Sequence, residues 1–242
     1  KKIYKKIRKL GEAYSWHASK QLAFIYSEEK KDKEAKKILE KTFRSLRNPD
    51  LYQIFDYANF LKNNEMFEES INYYSKVLSL ISVENNLYPK AKDGRGIAYE
   101  RTDKWEKAEK DFLSSLEADP NQAYVINYLA YSWIEKGIYI EKSLRMLEKA
   151  NELRSNDGYI TDSLGWALYK LKRYSKAKKY LQLAVQLMPS DPIVNDHFGD
   201  CLWMIGNKIQ ARYYWNYVSK LENATVDQKE KIKRKIFEGP KL

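Results

Sequence analysis

A pattern of small residues returns along this chain at a fixed interval of about 34 residues. Gly165 lies 34 residues before Gly199, and Ala177 lies 34 residues before Ala211. An interval of this length is typical of two-helix repeat arrays, in which each repeat packs against its neighbours alone. The chain is therefore expected to form an extended binding surface, and not a globular enzyme built around one cleft.

The period divides the chain into six units, each predicted to be a helix, a tight turn and a second helix. A small residue lies in the middle of each first helix, and a large apolar residue lies on each second helix. A small residue opposite a large one lets the two helices approach closely. The predicted units are 16–50, 51–88, 89–122, 123–157, 158–191 and 192–221. The small residues are Ala23, Ala58, Gly96, Ala130, Gly165 and Gly199, and the large ones are Leu39, Tyr74, Phe112, Leu147, Leu181 and Trp215.

The two ends of the chain lie outside this period. Residues 1–15 are expected to be the end of a preceding repeat helix, and residues 222–242 a capping helix. Thr225 and Gln228 have the spacing of a capping box at the start of that helix, and Gly239 is expected to end it. The chain has no initiator Met and no apolar segment long enough to span a membrane. We therefore expect a fragment, without a membrane span, whose upstream segment is missing.

The net charge of +11 is concentrated at the two ends of the chain. Residues 1–50 carry 15 Lys and Arg against 7 Asp and Glu, and residues 158–242 carry 15 against 8, whereas residues 51–157 carry 14 against 18. Basic ends attract anionic partners through their electric field. The same lysines are also consistent with solvated helix faces in a chain rich in Lys, Asn, Ile and Tyr. The sequence leaves open whether the charge is functional or compositional.

Catalysis and metal binding find little support in the sequence. A nucleophilic triad needs a His beside its nucleophile, and His17 and His197 lie at opposite ends of the predicted array. The single Cys201 occupies a small, buried position and is expected to be a packed core thiol. His197 lies one residue off the helix face that Asp196 and Asp200 share, which disfavours a metal site. We predict no enzyme activity, no metal and no cofactor.

The repeat pattern resembles that of the tetratricopeptide repeat family. The fifth unit matches family positions at Leu164, Gly165, Tyr174, Ala177, Leu181, Ala184 and Pro189, and the third at Gly96, Tyr99, Trp105, Ala108, Phe112 and Pro120. The resemblance implies an all-α fold, a right-handed superhelical solenoid of helix-turn-helix repeats. It also implies a non-catalytic scaffold or adaptor that binds a partner protein or peptide.

A narrower resemblance covers the last two units. The segments 157–166, 195–200 and 211–215 are similar to the carboxy-terminal repeats of bacterial, chiefly proteobacterial, repeat proteins of the cell envelope. Some of those proteins are lipoprotein adaptors that present substrates to a periplasmic protease. This resemblance favours a periplasmic or cell-envelope location over the cytoplasm, and an envelope protease or its substrate as the partner.

In the family, the first helix of each unit lines the concave face. The matching positions here form an aromatic trough with Asn and Asp between the rings, a combination suited to an extended peptide. Three of these positions carry carboxylates, which would favour a partner with Lys or Arg, while about half of the rings are expected to fill space between repeats. The predicted partner-binding residues are Tyr52, Phe55, Asn59, Tyr124, Asn127, Tyr131, Tyr159, Asp162, Trp166, Tyr169, Asp196, Asp200 and Trp203.

Two other functions remain open from the sequence. One is a structural role in assembling a homo-oligomer through an exposed first helix. The other, which we do not expect, is binding of nucleic acid or another anionic ligand through the basic ends. Neither basic run interleaves aromatic residues that would stack on bases.

Overall fold

A computed structural model describes residues 1–240, with the exception of the side chain of Ala13. Within that range the chain is helical throughout and has no strand, which confirms the all-α prediction. The helices are α1 (Lys2–Ile7), α2 (Glu12–Glu28), α3 (Asp32–Ser45), α4 (Leu51–Asn63), α5 (Phe67–Ser79), α6 (Tyr88–Glu100), α7 (Trp105–Ala118), α8 (Ala123–Glu135), α9 (Ile140–Leu153), α10 (Gly158–Lys170), α11 (Tyr174–Leu187), α12 (Pro192–Met204), α13 (Lys208–Lys220) and α14 (Val226–Glu238).

The first helix of each pair ends in the same kind of turn. Seven residues after the small residue of the first helix, the backbone adopts a positive φ, as at Lys172 (φ 58) and Gly206 (φ 87). The N–H of the next residue then bonds to a carbonyl in the last turn of the helix, as Arg173 does to Leu168. This is the Schellman arrangement, which satisfies carbonyls that a helix end would otherwise leave unpaired. The six turn residues are Lys30, Glu65, Asp103, Gly137, Lys172 and Gly206.

Two compact units make up the fold, residues 1–118 and residues 119–242. The first contains α1–α7, and its core includes Trp16, Phe43 and Tyr57, whose rings pack against one another. The second contains α8–α14, and its core runs through α8–α14 and includes Leu181 and Trp215. In both units each first helix packs against the second helix of its own pair.

Close approach within a pair depends on the small residue of the first helix. A Cβ added to Gly165 would lie 2.7 Å from Cγ of Leu181, and one added to Gly96 would lie 2.7 Å from the ring of Phe112. At Gly199 the added atom would collide with the indole of Trp215. In these three pairs the small residue therefore faces the large residue that the sequence pattern predicts for it.

Helix α14 closes the described part of the second unit. Thr225 and Gln228 form both bonds of the predicted capping box, and the helix ends at Gly239, whose φ is 82. Ile232 of this helix is buried against the core. At the other end of the chain, α2 begins at Glu12, within the segment 1–15 that the sequence assigns to a preceding repeat. Residues 241–242 of the predicted capping segment lie outside the described residues.

Candidate functional site

Three first helices of the second unit, α8, α10 and α12, lie side by side, with α10 in contact with both of the others. Eleven side chains at equivalent positions on these helices form what we call the first-helix face. Ten of them are predicted partner-binding residues and the other is Ile193. The face consists of Tyr124, Asn127 and Tyr131 from α8, Tyr159, Asp162, Trp166 and Tyr169 from α10, and Ile193, Asp196, Asp200 and Trp203 from α12.

A column of stacked rings lies in the middle of this face. The indole of Trp166 lies between two planar groups, the ring of Tyr169 at 4.6 Å and the imidazole of His197 at 3.9 Å. Its Nε1–H donates to the carboxylate of Glu135 at 2.7 Å. Trp166 and Tyr169 are both buried and belong to the hydrophobic core. These two predicted contact residues therefore hold the repeats together.

His197 connects the last two repeats through a buried hydrogen bond. Its Nδ1 lies 2.8 Å from Oδ2 of Asp162, on the preceding first helix. Burial acts to lower the pKa of His197, but the nearby carboxylates, Asp162 foremost, outweigh it and raise the pKa above its usual value. The imidazole therefore keeps its proton to a higher pH than an ordinary histidine, and in its charged form it pairs with Asp162.

Lys235 of α14 forms ion pairs with the other two carboxylates of the face, Asp196 and Asp200. Its Nζ lies 2.7 and 2.8 Å from the carboxylate oxygens of Asp196, and 2.9 Å from both oxygens of Asp200. Burial, followed by the charge of Asp196, raises the pKa of Asp200 to about 7, against the opposing effect of Lys235. The sequence reasoning treated all three carboxylates as open to a basic partner. The structure differs, because Asp196 and Asp200 are already paired within the chain.

Two buried oxygens on this face lack a hydrogen-bond partner among residues 1–240. They are Oδ1 of Asn127 and Oδ1 of Asp162, at equivalent positions on the neighbouring helices α8 and α10. A buried polar atom without a partner costs about 1–3 kcal/mol, so such atoms are uncommon in folded proteins. Both oxygens accept hydrogen bonds and neither donates one. This part of the face therefore lacks donors.

Large exposed side chains line one edge of the same face. Tyr124, Tyr159 and Ile193 share the second position of their helices, and they are 51%, 60% and 46% exposed. The hydroxyl of Tyr124 donates to Asp157 at 2.9 Å, which links α8 to the start of α10. The guanidinium of Arg154 lies over the ring of Tyr124, 4.7 Å from its centroid, and donates to its hydroxyl. The ring of Tyr159 and the uncovered side of the Tyr124 ring are accessible to a ligand.

The remaining predicted contact residues have mixed surroundings. Trp203 lies 5.4 Å from Trp215, and the side chains of Lys208 and Arg212 lie over its ring. Tyr131 is partly buried, and its ring centroid is 6.4 Å from that of His197. Neither ring is free for a ligand to stack on without moving a neighbour.

The first unit holds the other three predicted residues, all on α4. Tyr52 is exposed, whereas the ring of Phe55 packs against Tyr74 with centroids 6.1 Å apart. Asn59 accepts a hydrogen bond from the hydroxyl of Tyr74 and donates one to the carbonyl of Phe55. Of these three, Tyr52 alone has most of its side chain in contact with solvent.

Residues 1–240 contain neither a cluster of metal-ligating side chains nor a helix able to span a membrane. No group of three or more His, Cys, Asp or Glu side chains in that range is arranged to hold a metal ion. No helix there has both the length and the apolar character that crossing a membrane requires.

Comparison with known proteins identifies the repeats. A family model described as tetratricopeptide repeat matches residues 2–224, which is most of the chain. The chain belongs to the tetratricopeptide repeat family. Proteins of this family are protein-interaction scaffolds, and the chain has that general role.

A curated relative, a TPR repeat-containing protein of Pseudomonas aeruginosa, is 28% identical to this tetratricopeptide repeat chain over 150 residues. The match covers 59% of this chain and 23% of the relative, so the chain spans about a quarter of that protein.

Solved structures share the fold at low identity. A tetratricopeptide repeat protein from Parabacteroides merdae matches 92% of this chain and 85% of its own length with a TM-score of 0.68 and 15% identity. YrrB, described as a TPR protein with an unusual peptide-binding site, matches 76% of this chain and 92% of its own length with a TM-score of 0.58 and 18% identity. At this identity the likeness shows the fold alone.

Sequence reasoning missed two residues that organise the site, His197 and Lys235. The sequence pattern disfavours His197 as a metal ligand, and the structure shows that it joins two repeats through Asp162. Lys235 lies in a basic stretch of the capping helix. Its distance of 35 residues from Asp200 is one repeat plus one residue, and this spacing is the available signal that it lies on the next helix of the array.

Proposed function

We propose that this tetratricopeptide repeat chain docks an extended segment of a partner protein on its first-helix face. The observation that carries the proposal is the alignment of exposed Tyr124, Tyr159 and Ile193 beside two buried acceptors that lack donors, Asn127 Oδ1 and Asp162 Oδ1. Exposed aromatic rings provide contact area at low entropic cost, and such residues are enriched at the energetic centres of interfaces. A segment lying across α8, α10 and α12 would cover all three side chains.

The two unpartnered oxygens indicate the chemistry of the segment. Each would be satisfied by a donor, such as a backbone N–H, a side-chain amide, or the cationic group of Lys or Arg. Both atoms are buried, so a donor reaches them as the neighbouring side chains adjust on binding. Asp162 already shares its other oxygen with His197, and Asp196 and Asp200 are paired with Lys235. A preference for a basic residue is therefore expected near Asp162, and not along the whole face.

The buried rings are poor positions for testing this proposal. Trp166 lies in the core between Tyr169 and His197, so Trp166→Ala would reduce stability as well as binding. Tyr124 and Tyr159 are exposed, and their removal leaves the core intact. They are therefore the residues to change.

The experiment selects ligands for the whole chain from a random peptide library and measures their affinities by fluorescence polarisation. The double variant Tyr124→Ser/Tyr159→Ser should weaken one class of ligands by roughly tenfold or more, as the loss of interface aromatics does. Tyr14→Ser is the matched control, because Tyr14 is 59% exposed but lies on α2 of the first unit. If every selected ligand binds the double variant and the parent equally, the first-helix face is not the docking surface.

A further inference from the structure

The solvent-facing side of the second helices is polar in most repeats and becomes apolar in the last one, α13. Three positions on each second helix, six before, two before and two after its large apolar residue, lie on one face. They are polar in α3, α5, α7 and α9, and two of the three are polar in α11, where the third is Leu183. In α13 they are Ile209, Tyr213 and Tyr217, with exposures of 85%, 68% and 36%.

This apolar stripe is not needed for packing within the fold. The side of α13 that faces the core is formed by Ala211, Trp215 and Val218, all of them buried. The stripe lies on the opposite side, where the other second helices carry polar side chains except at Leu183. A row of exposed apolar side chains on a soluble surface is typical of an interaction site.

A groove runs beside the stripe, between α11 and α13. It has a volume of about 350 Å³. Phe198 and Leu202 of α12 form its floor, and both are almost fully buried. The rim is formed by Lys178 and Gln182 from α11 and by Gln210 and Tyr213 from α13. The groove thus combines an apolar base with donors at its edge, a combination that is common in ligand sites.

The charge around the groove is of one sign. Neither α11 nor α13 contains an Asp or a Glu, whereas α3, α5, α7 and α9 each contain at least two. Lys178 on the rim and Lys176 and Lys179 beside it form no ion pair with the rest of residues 1–240, and the same holds for Lys220 of α13. The surroundings of the groove are therefore complementary to an acidic partner.

We propose that this groove docks an acidic segment of a partner protein that carries a large apolar side chain. The apolar side chain packs on exposed Ile209 and Tyr213 at the edge of the groove, and the carboxylates of the segment meet Lys178 and its neighbours. The amides of Gln182 and Gln210 on the rim favour a protein segment over a lipid surface, because they can pair with an extended backbone. The apolar stripe favours a protein over a nucleic acid, whose phosphates would contact the lysines and leave the stripe uncovered.

The groove beside α13 is separate from the first-helix face, and variants of each surface distinguish the ligands that bind there. Ligands selected from the random peptide library on the whole chain are tested against Ile209→Ser/Tyr213→Ser and against Lys178→Glu. The changed residues at positions 209 and 213 are exposed, and a thermal melt followed by circular dichroism verifies that each variant folds. Lys37→Glu is the control, because Lys37 is an exposed lysine on α3 at the position equivalent to Tyr213.

We expect a class of ligands that carries Asp or Glu beside Leu, Phe or Trp. Its affinity should fall by roughly tenfold in each α13 or α11 variant, stay unchanged in Lys37→Glu and Tyr159→Ser, and fall as salt screens the lysines. The proposal is overturned if no ligand class depends on these residues, or if the dependent class is basic. Sedimentation with vesicles containing about 30 mol % anionic lipid gives a further check, and binding lost in the same variants would assign the surface to a membrane instead.

Discussion

Lys235 joins the final helix to the last repeat. Its ammonium group pairs with both Asp196 and Asp200, and the side chain of Asp200 is only 5% exposed. Removing one member of a buried ion pair leaves the other charge without compensation, which is more costly than losing the attraction alone. Breaking the pair therefore lowers stability, even though the net free energy of forming it from two solvated charges is close to zero.

We expect Lys235→Met to lower the free energy of unfolding by roughly 3 kcal/mol, the lower end of the range for broken buried pairs. Lys231→Met is the control on the same helix, because Lys231 pairs with Asp227 at the surface, where both side chains are more than half exposed. Its cost should be below about 1 kcal/mol. Urea denaturation measures both, and equal costs would show that Lys235 contributes no more than a surface charge.

His197 predicts a pH dependence of stability. Its pKa in the folded chain lies above the usual 6.5, so its contribution is fully present below pH 6.5 and is lost as the pH rises through the folded value. Asp200 acts in the same direction over a lower pH range, because its folded pKa of about 7 lies above the usual 3.8 and its contribution is lost between these two values. We expect the urea midpoint to fall as the pH rises above 6.5, and to fall less steeply in His197→Gln. Parallel pH profiles for the variant and the parent would contradict this assignment.

A larger side chain at Gly165 should force α10 and α11 apart and lower the stability of the fold. Even a single methyl group there would meet Leu181 at 2.7 Å, so Gly165→Val should lower stability by about 1–3 kcal/mol through overpacking. The same change in a Leu181→Ala background should cost less, because the colliding atoms are gone. A thermal melt of the four proteins tests the coupling, and additive effects would mean that the close approach is not the cause.

At the scale of elements, helix α14 depends on its first turn. Thr225 accepts a hydrogen bond from the N–H of Gln228, whose side chain bonds back to the N–H of Thr225. Thr225→Ala should therefore cost about 1 kcal/mol, and Thr225→Asp should restore most of it. Chemical denaturation measures both variants. If Thr225→Asp is as unstable as Thr225→Ala, the helix cap does not account for the loss of stability.

The helices and their pairing follow from sequence because they are local. Small residues such as Gly165 and large ones such as Leu181 recur at fixed offsets, and the structure brings these two together. The turns are harder to specify in detail, because four of the six left-handed positions are not glycine, as at Lys30 and Asp103. There the hydrogen bonds of the helix end impose the conformation that the residue type does not favour.

The candidate site was less predictable than the helices that carry it. The family pattern places Asp196, Asp200 and Trp166 on the first-helix face, but it does not say which of them are already occupied. The partners are residues 31 to 39 positions away, Lys235 for the carboxylates and Glu135 for the indole. Such pairings depend on how one repeat is rotated against the next, which residue spacing alone does not encode.

At the scale of the whole molecule, the helix content itself is a prediction. The described structure is 76% helical and contains no strand. Far-ultraviolet circular dichroism of the intact chain should therefore give a strongly helical spectrum without a sheet component. A clear strand contribution would be incompatible with an array of tetratricopeptide repeats.

The excess positive charge at the carboxy-terminal end is divided among different surroundings. Lys235 is committed to Asp196 and Asp200, whereas Lys176, Lys178 and Lys179 lie on a helix without carboxylates. The net charge of residues 158–242 therefore has two parts. Lys235 pairs with carboxylates of the chain itself, whereas the lysines of α11 form a positive surface. The effect of added salt on binding should depend on the face to which a ligand binds.

Helix α12 contributes side chains to two surfaces. Asp196 and Asp200 belong to the first-helix face, whereas Phe198 and Leu202 form the floor of the groove beside α13. Two ligands held on opposite sides of one helix would lie within about a helix diameter, roughly 10 Å, of each other. If both belong to one partner, binding of the second becomes intramolecular, at an effective concentration on the order of millimolar. Two individually weak contacts could then hold one partner firmly by avidity.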